Sequence, residues 1–150
     1  MKLNLGGGTN RHDDYLTVDF FLGGTDVRHD LRTPLPYADG SIEALYSSHC
    51  IEHFSRAEWE FVVSDWHRVL MPVGKLEIYC PDLEYACGQF IATKGDEKWL
   101  RTLYGSQGHD GEYHKNGFTA SKLKHDLRRA GFGFVDVKNK GSDLYALAIK

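Results

Sequence analysis

Three successive glycines, Gly6, Gly7 and Gly8, stand directly after the strand-like run Lys2–Leu5. Glycine there lets the chain turn sharply and lets a ligand approach the main chain with no Cβ in the way. Only seven residues separate Gly8 from the next extended run, Leu16–Phe20 with Asp19 at its end. A parallel strand–helix–strand crossover needs roughly 10–12 residues, so the first link has no room for a full helix. That spacing bears on the ligand. Dinucleotide sites seat a pyrophosphate on the helix that follows the glycines. Here Arg11 stands where the third glycine of that fingerprint would fall. An adenosine ligand without a pyrophosphate is least affected by losing the helix.

The rest of the chain alternates in the same way. Thr25–Arg28 reads as a third strand and, past the turn Tyr37-Ala38-Asp39-Gly40-Ser41, Ala44–Ser48 reads as a fourth. Ser55–Leu70 is the clearest helix: Ser55 and Glu58 form a capping box, Phe54 and Trp59 have staple spacing, and Trp59, Val62, Val63, Trp66 and Leu70 make one apolar stripe. Pro72 and Gly74 are expected to end it before a fifth strand, Lys75–Cys80. Two helical patterns follow within 83–104, then a polar stretch Gly105–Gly117, a helix capped by Thr119, and a strand pair, Phe134–Lys138 and Leu144–Ile149, joined by a tight turn. This order predicts a single α/β domain over 1–150, Rossmann-like, with a mostly parallel sheet, a C-terminal antiparallel hairpin, and helices reduced on one face. The insert 83–117 is expected near the site. Parallel sheets need cover on both faces, so either the 83–104 segment or a second subunit, as in a homodimer, is expected to supply it.

Composition narrows the partners. A formal net charge of −3 gives no electrostatic footprint for nucleic acid or an acidic membrane, and points to small molecules, neutral polymers or another protein. Cys50, Cys80 and Cys87 are odd in number and show no CxxC spacing, which argues against a disulfide framework or a cysteine zinc site. With no long apolar run and no signal-like N-terminus, a cytoplasmic setting is expected.

Taken in order, Leu3-Asn4-Leu5-Gly6-Gly7-Gly8, Thr17-Val18-Asp19, His29-Asp30-Leu31, Tyr46 through Phe54, and Phe118-Thr119 through Phe132 resemble the small class I methyltransferases that use S-adenosylmethionine (SAM). The resemblance covers nearly the whole chain. It implies that Gly6, Gly7 and Gly8 lie against the methionine part of SAM, that Asp19 binds ribose, and that Asp30 and Leu31 hold adenine. Ser47, Ser48 and His49 would line the pocket. Asn4 stands where many relatives carry an acid that orients the SAM amino group; it keeps the hydrogen-bonding capacity without the charge.

Methyl transfer to oxygen or nitrogen is an in-line displacement in which the protein positions nucleophile and methyl, and a hydroxyl nucleophile gains from a base with a pKa near 7. The polar loop at 105–117 supplies His114 as the first candidate, with His109 and Asp110 behind it. Asp82, after Pro81 at a strand end, and Tyr113 are candidates for the acceptor, a small molecule, glycan or peptide; a helix N-cap is the equal alternative for Asp82. Two other readings stand beside this one. A chain this small could bind SAM without turnover, as a module or partner subunit. And His49-Cys50-Ile51-Glu52-His53 matches the H-x-x-E-H spacing of zinc hydrolases, although its position between a strand end and the Ser55 cap argues against the helix such a motif requires, so no metal site is expected.

Overall fold

The structure, a computed structural model, describes residues 1–21 and 24–150. Seven strands, β1 (Lys2–Leu5), β2 (Leu16–Asp19), β3 (Val27–Arg28), β4 (Ile42–Ser48), β5 (Leu70–Pro81), β6 (Phe134–Lys140) and β7 (Asp143–Ile149), form one sheet in the order β3-β2-β1-β4-β5-β7-β6. The first five run parallel and β7 is antiparallel to both β5 and β6. The helices are α1 (Arg56–Val69), α2 (Leu83–Ala92), α3 (Glu97–Tyr104) and α4 (Ala120–Arg129). As the short spacing requires, β1 passes to β2 through turns alone. Strand order reverses at β1, which has β2 on one side and β4 on the other, and such a switch point opens a crevice at the strands' carboxyl ends.

Local signals explain where α1 sits. The Ser55 side chain accepts from the Glu58 backbone N–H and the Glu58 carboxylate accepts from the Ser55 N–H, closing the capping box. Its apolar stripe buries Trp59, Val62, Val63, Trp66 and Val69 in the core with Leu76 and Ile78 of β5 and Leu123 and Leu127 of α4. The indole of Trp59 donates to Asp126 of α4 at 3.1 Å, which locks the two helices together. From the far end of α1, Asp65 accepts from the Leu35 N–H and Arg68 donates to the Leu35 and Tyr37 carbonyls, pinning the link into β4.

Two expectations change. The fifth strand starts at Leu70, not Lys75: Leu70 already pairs with Ile42, and the register slips before Ala44 meets Lys75. Pro72 and Gly74 therefore belong to an irregularity within β5, where Val73 takes φ +58°, and do not mark the helix end. Nor does 83–104 cover the sheet. Helices α2 and α3 pack on each other, Tyr85 against Trp99 at 5.7 Å. The face away from α1 thus presents half-buried Tyr15, Tyr46, Tyr79 and Tyr145, neighbouring ring centroids 4.9 to 6.4 Å apart. Among the described residues no helix is long and apolar enough to cross a membrane.

Candidate active site

At the carboxyl ends of β1, β2 and β4 lies a cleft of about 630 Å³, within the usual range for small-ligand sites. The glycine loop forms one wall. Gly6 takes φ +69° and Gly8 φ +54°, left-handed conformations that glycine adopts without strain. A Cβ on Gly6 would stand 2.2 Å from Cys50 Sγ, so no side chain fits there. The loop is tied to the next strand by Asp19, whose Oδ2 accepts from the Gly8 N–H and whose Oδ1 accepts from the Phe21 N–H, both at 2.9 Å. The carboxylate lines the cleft.

Asp30 and Leu31 line the same cleft. Arg32 forks onto Asp30 through Nε at 2.9 Å and Nη2 at 2.7 Å, and these hydrogen bonds hold the Asp30 carboxyl below its ordinary value. Arg32 was not singled out in the sequence; nor were Phe20 and Phe21, exposed aromatics at the cleft wall with Phe21 5.7 Å from His109. Only the structure brings them beside the glycines.

Four expected site residues do not line the cleft: Asn4, Ser47, Asp82 and, behind the opposite wall, His114. Asn4 is 2% exposed and does not line the cleft. Its Nδ2 donates to the Asn10 carbonyl at 2.9 Å, so it braces the glycine loop from beneath. Ser47 is fully buried and donates to the Leu5 carbonyl at 3.1 Å, tying β4 to β1. Its neighbour Ser48, pointing the other way, does reach the cleft. Asp82 is the N-cap of α2: it accepts from the Glu84 and Tyr85 N–H groups and takes Asn139 Nδ2 at 2.6 Å. Its carboxylate is committed, and it lies off the cleft.

The loop after α3 closes the opposite wall with His109, Asp110 and Tyr113. It is seated on the single 3₁₀ turn Ile51–His53, where the Lys115 and Asn116 N–H groups both donate to the Glu52 carbonyl. His109 Nδ1 accepts from the Gly111 N–H at 3.1 Å, so its proton-accepting nitrogen is already engaged. That geometry sets it up as a loop cap ahead of a base. His114 stands behind the wall. Its Nδ1 lies 2.9 Å from the Thr102 carbonyl, its ring meets His53 at 4.9 Å, and burial pushes its pKa down. His53 does line the cleft, with Nδ1 3.2 Å from the Tyr113 carbonyl. A carbonyl can only accept, so on both rings Nδ1 carries the proton and Nε2 the lone pair. His49, at φ +50° and also in the cleft wall, has Nδ1 3.5 Å from Glu52 and Nε2 3.5 Å from Asp143; Glu52 first, then Asp143, hold its imidazole above the ordinary histidine value.

A Rossmann-like sheet whose glycine loop and β2 acid share one switch-point cleft defines a nucleotide-binding α/β domain. Comparison with known proteins narrows the class. The family described as "Methyltransferase domain" matches residues 5–78, from the glycine loop into β5. A SAM-dependent methyltransferase from Thermotoga maritima, described as a possible histamine N-methyltransferase, superposes with a TM-score of 0.74 at 16% identity, over 99% of this chain and 81% of that one. One from Archaeoglobus fulgidus gives 0.70 at 16%, over 99% and 85%. The 1,6-didemethyltoxoflavin-N1-methyltransferase of Burkholderia thailandensis, with bound S-adenosylhomocysteine (SAH), gives 0.66 at 18%, over 99% and 70%. At these identities the likeness establishes the fold. No curated protein sequence matches. The family match on the glycine-loop half and the shared fold make the chain similar to the class I SAM-dependent methyltransferases, enzymes whose cofactor is SAM.

Proposed function

We propose that this chain binds SAM in the cleft between the glycine loop and the 109–115 loop and methylates an oxygen or nitrogen nucleophile of a small molecule, a glycan or a peptide. The observation that carries the reading is Asp19, a carboxylate at the end of β2 that lines the cleft and is tied by the Gly8 and Phe21 N–H groups to the glycine loop and to its own turn. Bound SAM supplies an electrophilic sulfonium methyl. The residues of the chain do the positioning. Asp19 takes the ribose hydroxyls, Asp30 the adenine amino group, and Leu31 the adenine face. Gly6 to Gly8 and Ser48 with His49 enclose the methionine part, while Phe20 and Phe21 exclude water.

The acceptor enters against Tyr113, Asp110 and His109. Beyond them stand two imidazole lone pairs, His53 at the wall and His114 behind it, and a proton leaving the nucleophile is received at that end. The N1-methyltransferase relative, with its small heterocyclic substrate, is consistent with an acceptor of this size. The homodimer expected from the short crossovers and the cytoplasmic setting belong to the same proposal, with solution mass as the check on the first.

Calorimetric titration with SAM tests the reading. Wild type is expected to bind with one site per chain, and Asp19→Ala to lose about 10–100-fold in affinity, the worth of a hydrogen bond to a charged group at roughly 1.5–3 kcal/mol. SAH release with a candidate acceptor separates an enzyme from a SAM-binding module. No binding at millimolar SAM refutes the proposal.

A further inference from the structure

Glu52 poses a problem that SAM does not solve. It is 2% exposed, yet neither carboxylate oxygen makes a hydrogen bond, His49 standing off at 3.5 Å. A buried carboxylate with no hydrogen bond and one imidazole at 3.5 Å is costly and has room for further positive charge. Besides His49, the groups that face it are His53 and His114. One ligand atom from each of Glu52, His53 and His114 lies within 4.8 Å of the other two, and among the described residues this is the one such cluster of three. Both imidazoles are already oriented: the carbonyls of Tyr113 and Thr102 hold their Nδ1 protons. Backbone acceptors fix metal-ligating histidines in the same way, leaving Nε2 for the ion.

We infer that Glu52, His53 and His114 form a divalent-metal site beside the cofactor cleft. Two imidazole nitrogens and one carboxylate are the donor set of catalytic zinc, with at least one position left for an outside ligand, and they disfavour Mg²⁺ and Ca²⁺, which want oxygen throughout. His49 is excluded from the set, because its second nitrogen faces Asp143. His53 lines the cleft, so the open position faces the acceptor. There the cation lowers the pKa of a bound hydroxyl. With both imidazole lone pairs on the ion, the acceptor O–H proton passes to solvent instead of to His53 or His114, and the new O–CH₃ bond forms as the S–CH₃ bond of SAM breaks, releasing SAH. This use of the ion rests on the methyl-transfer proposal; the site itself rests on the geometry.

The test is titration of chelator-treated protein with ZnCl₂, followed by calorimetry, in a Cys87→Ser background that removes the exposed thiol. One equivalent per chain is expected. Removing even an outer partner of a metal-bound histidine costs about 10–100-fold in affinity, so His53→Ala, His114→Ala and Glu52→Gln should each lose at least that. His125→Asn, on the exposed side of α4, should bind as the parent does. Cobalt(II) gives a second readout that needs no variant: visible bands of a four- or five-coordinate ion are expected, and the weak spectrum of the hydrated ion overturns the site. Equal zinc affinity in the ligand variants and in His125→Asn also overturns it. SAM titration of the parent in chelator runs in parallel. A protein that binds SAM but takes up no zinc removes this inference alone, and one that binds zinc but no SAM removes the methyl-transfer proposal alone.

Discussion

Gly7→Ala is the sharpest probe of how the glycine loop is held. A Cβ at that position would lie 2.2 Å from Asn4 Nδ2, 2.8 Å from Asn4 Cγ and 2.9 Å from Thr17 Cγ2. The Asn4 side chain must therefore move, and moving it breaks its 2.9 Å bond to the Asn10 carbonyl. At 2% exposure Asn4 has no solvent to turn into. Overpacking of this kind costs about 1–3 kcal/mol, and stranding a buried donor adds about 1–3 kcal/mol. Since the two overlap, a net loss of about 3 kcal/mol is expected, or roughly 6–12 °C in Tm at this chain length. Urea unfolding of Gly7→Ala, Asn4→Ala and the double variant measures it. Asn4→Ala alone should cost about 1 kcal/mol. Because it removes two of the three clashing atoms, the double variant should be more stable than the sum of the singles by about 1–2 kcal/mol, with the Thr17 contact limiting the rescue. Additivity within about 0.5 kcal/mol, or a Gly7→Ala protein as stable as wild type, would refute the claim that Asn4 braces the loop.

Two further expectations follow from side chains the structure reassigns or confirms. Asp82→Ala loses the α2 cap and the partner of Asn139, and should destabilise by about 2 kcal/mol while SAM affinity per folded molecule, measured calorimetrically, stays as in wild type. Glu58 is held below the ordinary glutamate value first by the Ser55 N–H. Its stabilisation is thus fully present above the unfolded value, about 4.3, and is lost as pH falls through the lower folded value. The stability gap between wild type and Glu58→Gln, at most about 1 kcal/mol at neutral pH, should close on acidification, and a gap that widens below pH 4 contradicts this assignment.

What could be read from the sequence divides along physical lines. The capping box of α1, the Thr119 cap of α4 and the C-terminal hairpin depend on residues close in sequence, and all three appear as expected. The start of β5 depends on Ile42, which claims Leu70 across the sheet, and no local pattern announces that. Ser47 and Ser48 show the limit more finely. Either could be placed at a strand end by resemblance, but successive side chains point to opposite faces, so only one enters the cleft. Arg32 and Phe21 escaped notice because they have no pattern at all: a lone Arg beside an Asp and a pair of aromatics acquire meaning only where the loops meet.

The H-x-x-E-H segment marks where sequence spacing misleads about geometry while pointing at the right atoms. On an α-helix, residues four apart share a face, and His49 and His53 would be partners. The chain instead leaves β4 through a left-handed His49 and makes one 3₁₀ turn. In 3₁₀ geometry it is residues three apart that eclipse. His49, ahead of that turn, meets Glu52 at 3.5 Å, and His53 meets the Tyr113 carbonyl of the 109–117 loop. That loop is drawn in because the Glu52 carbonyl accepts from Lys115 and Asn116, and it carries His114 to His53. The third member of the cluster therefore comes from sixty-one residues downstream of His53, not from four residues upstream. Glu52 is the hinge of both halves: its carbonyl assembles the loop, and its buried carboxylate, with His49 at 3.5 Å and no hydrogen bond, supplies the negative charge of the proposed site.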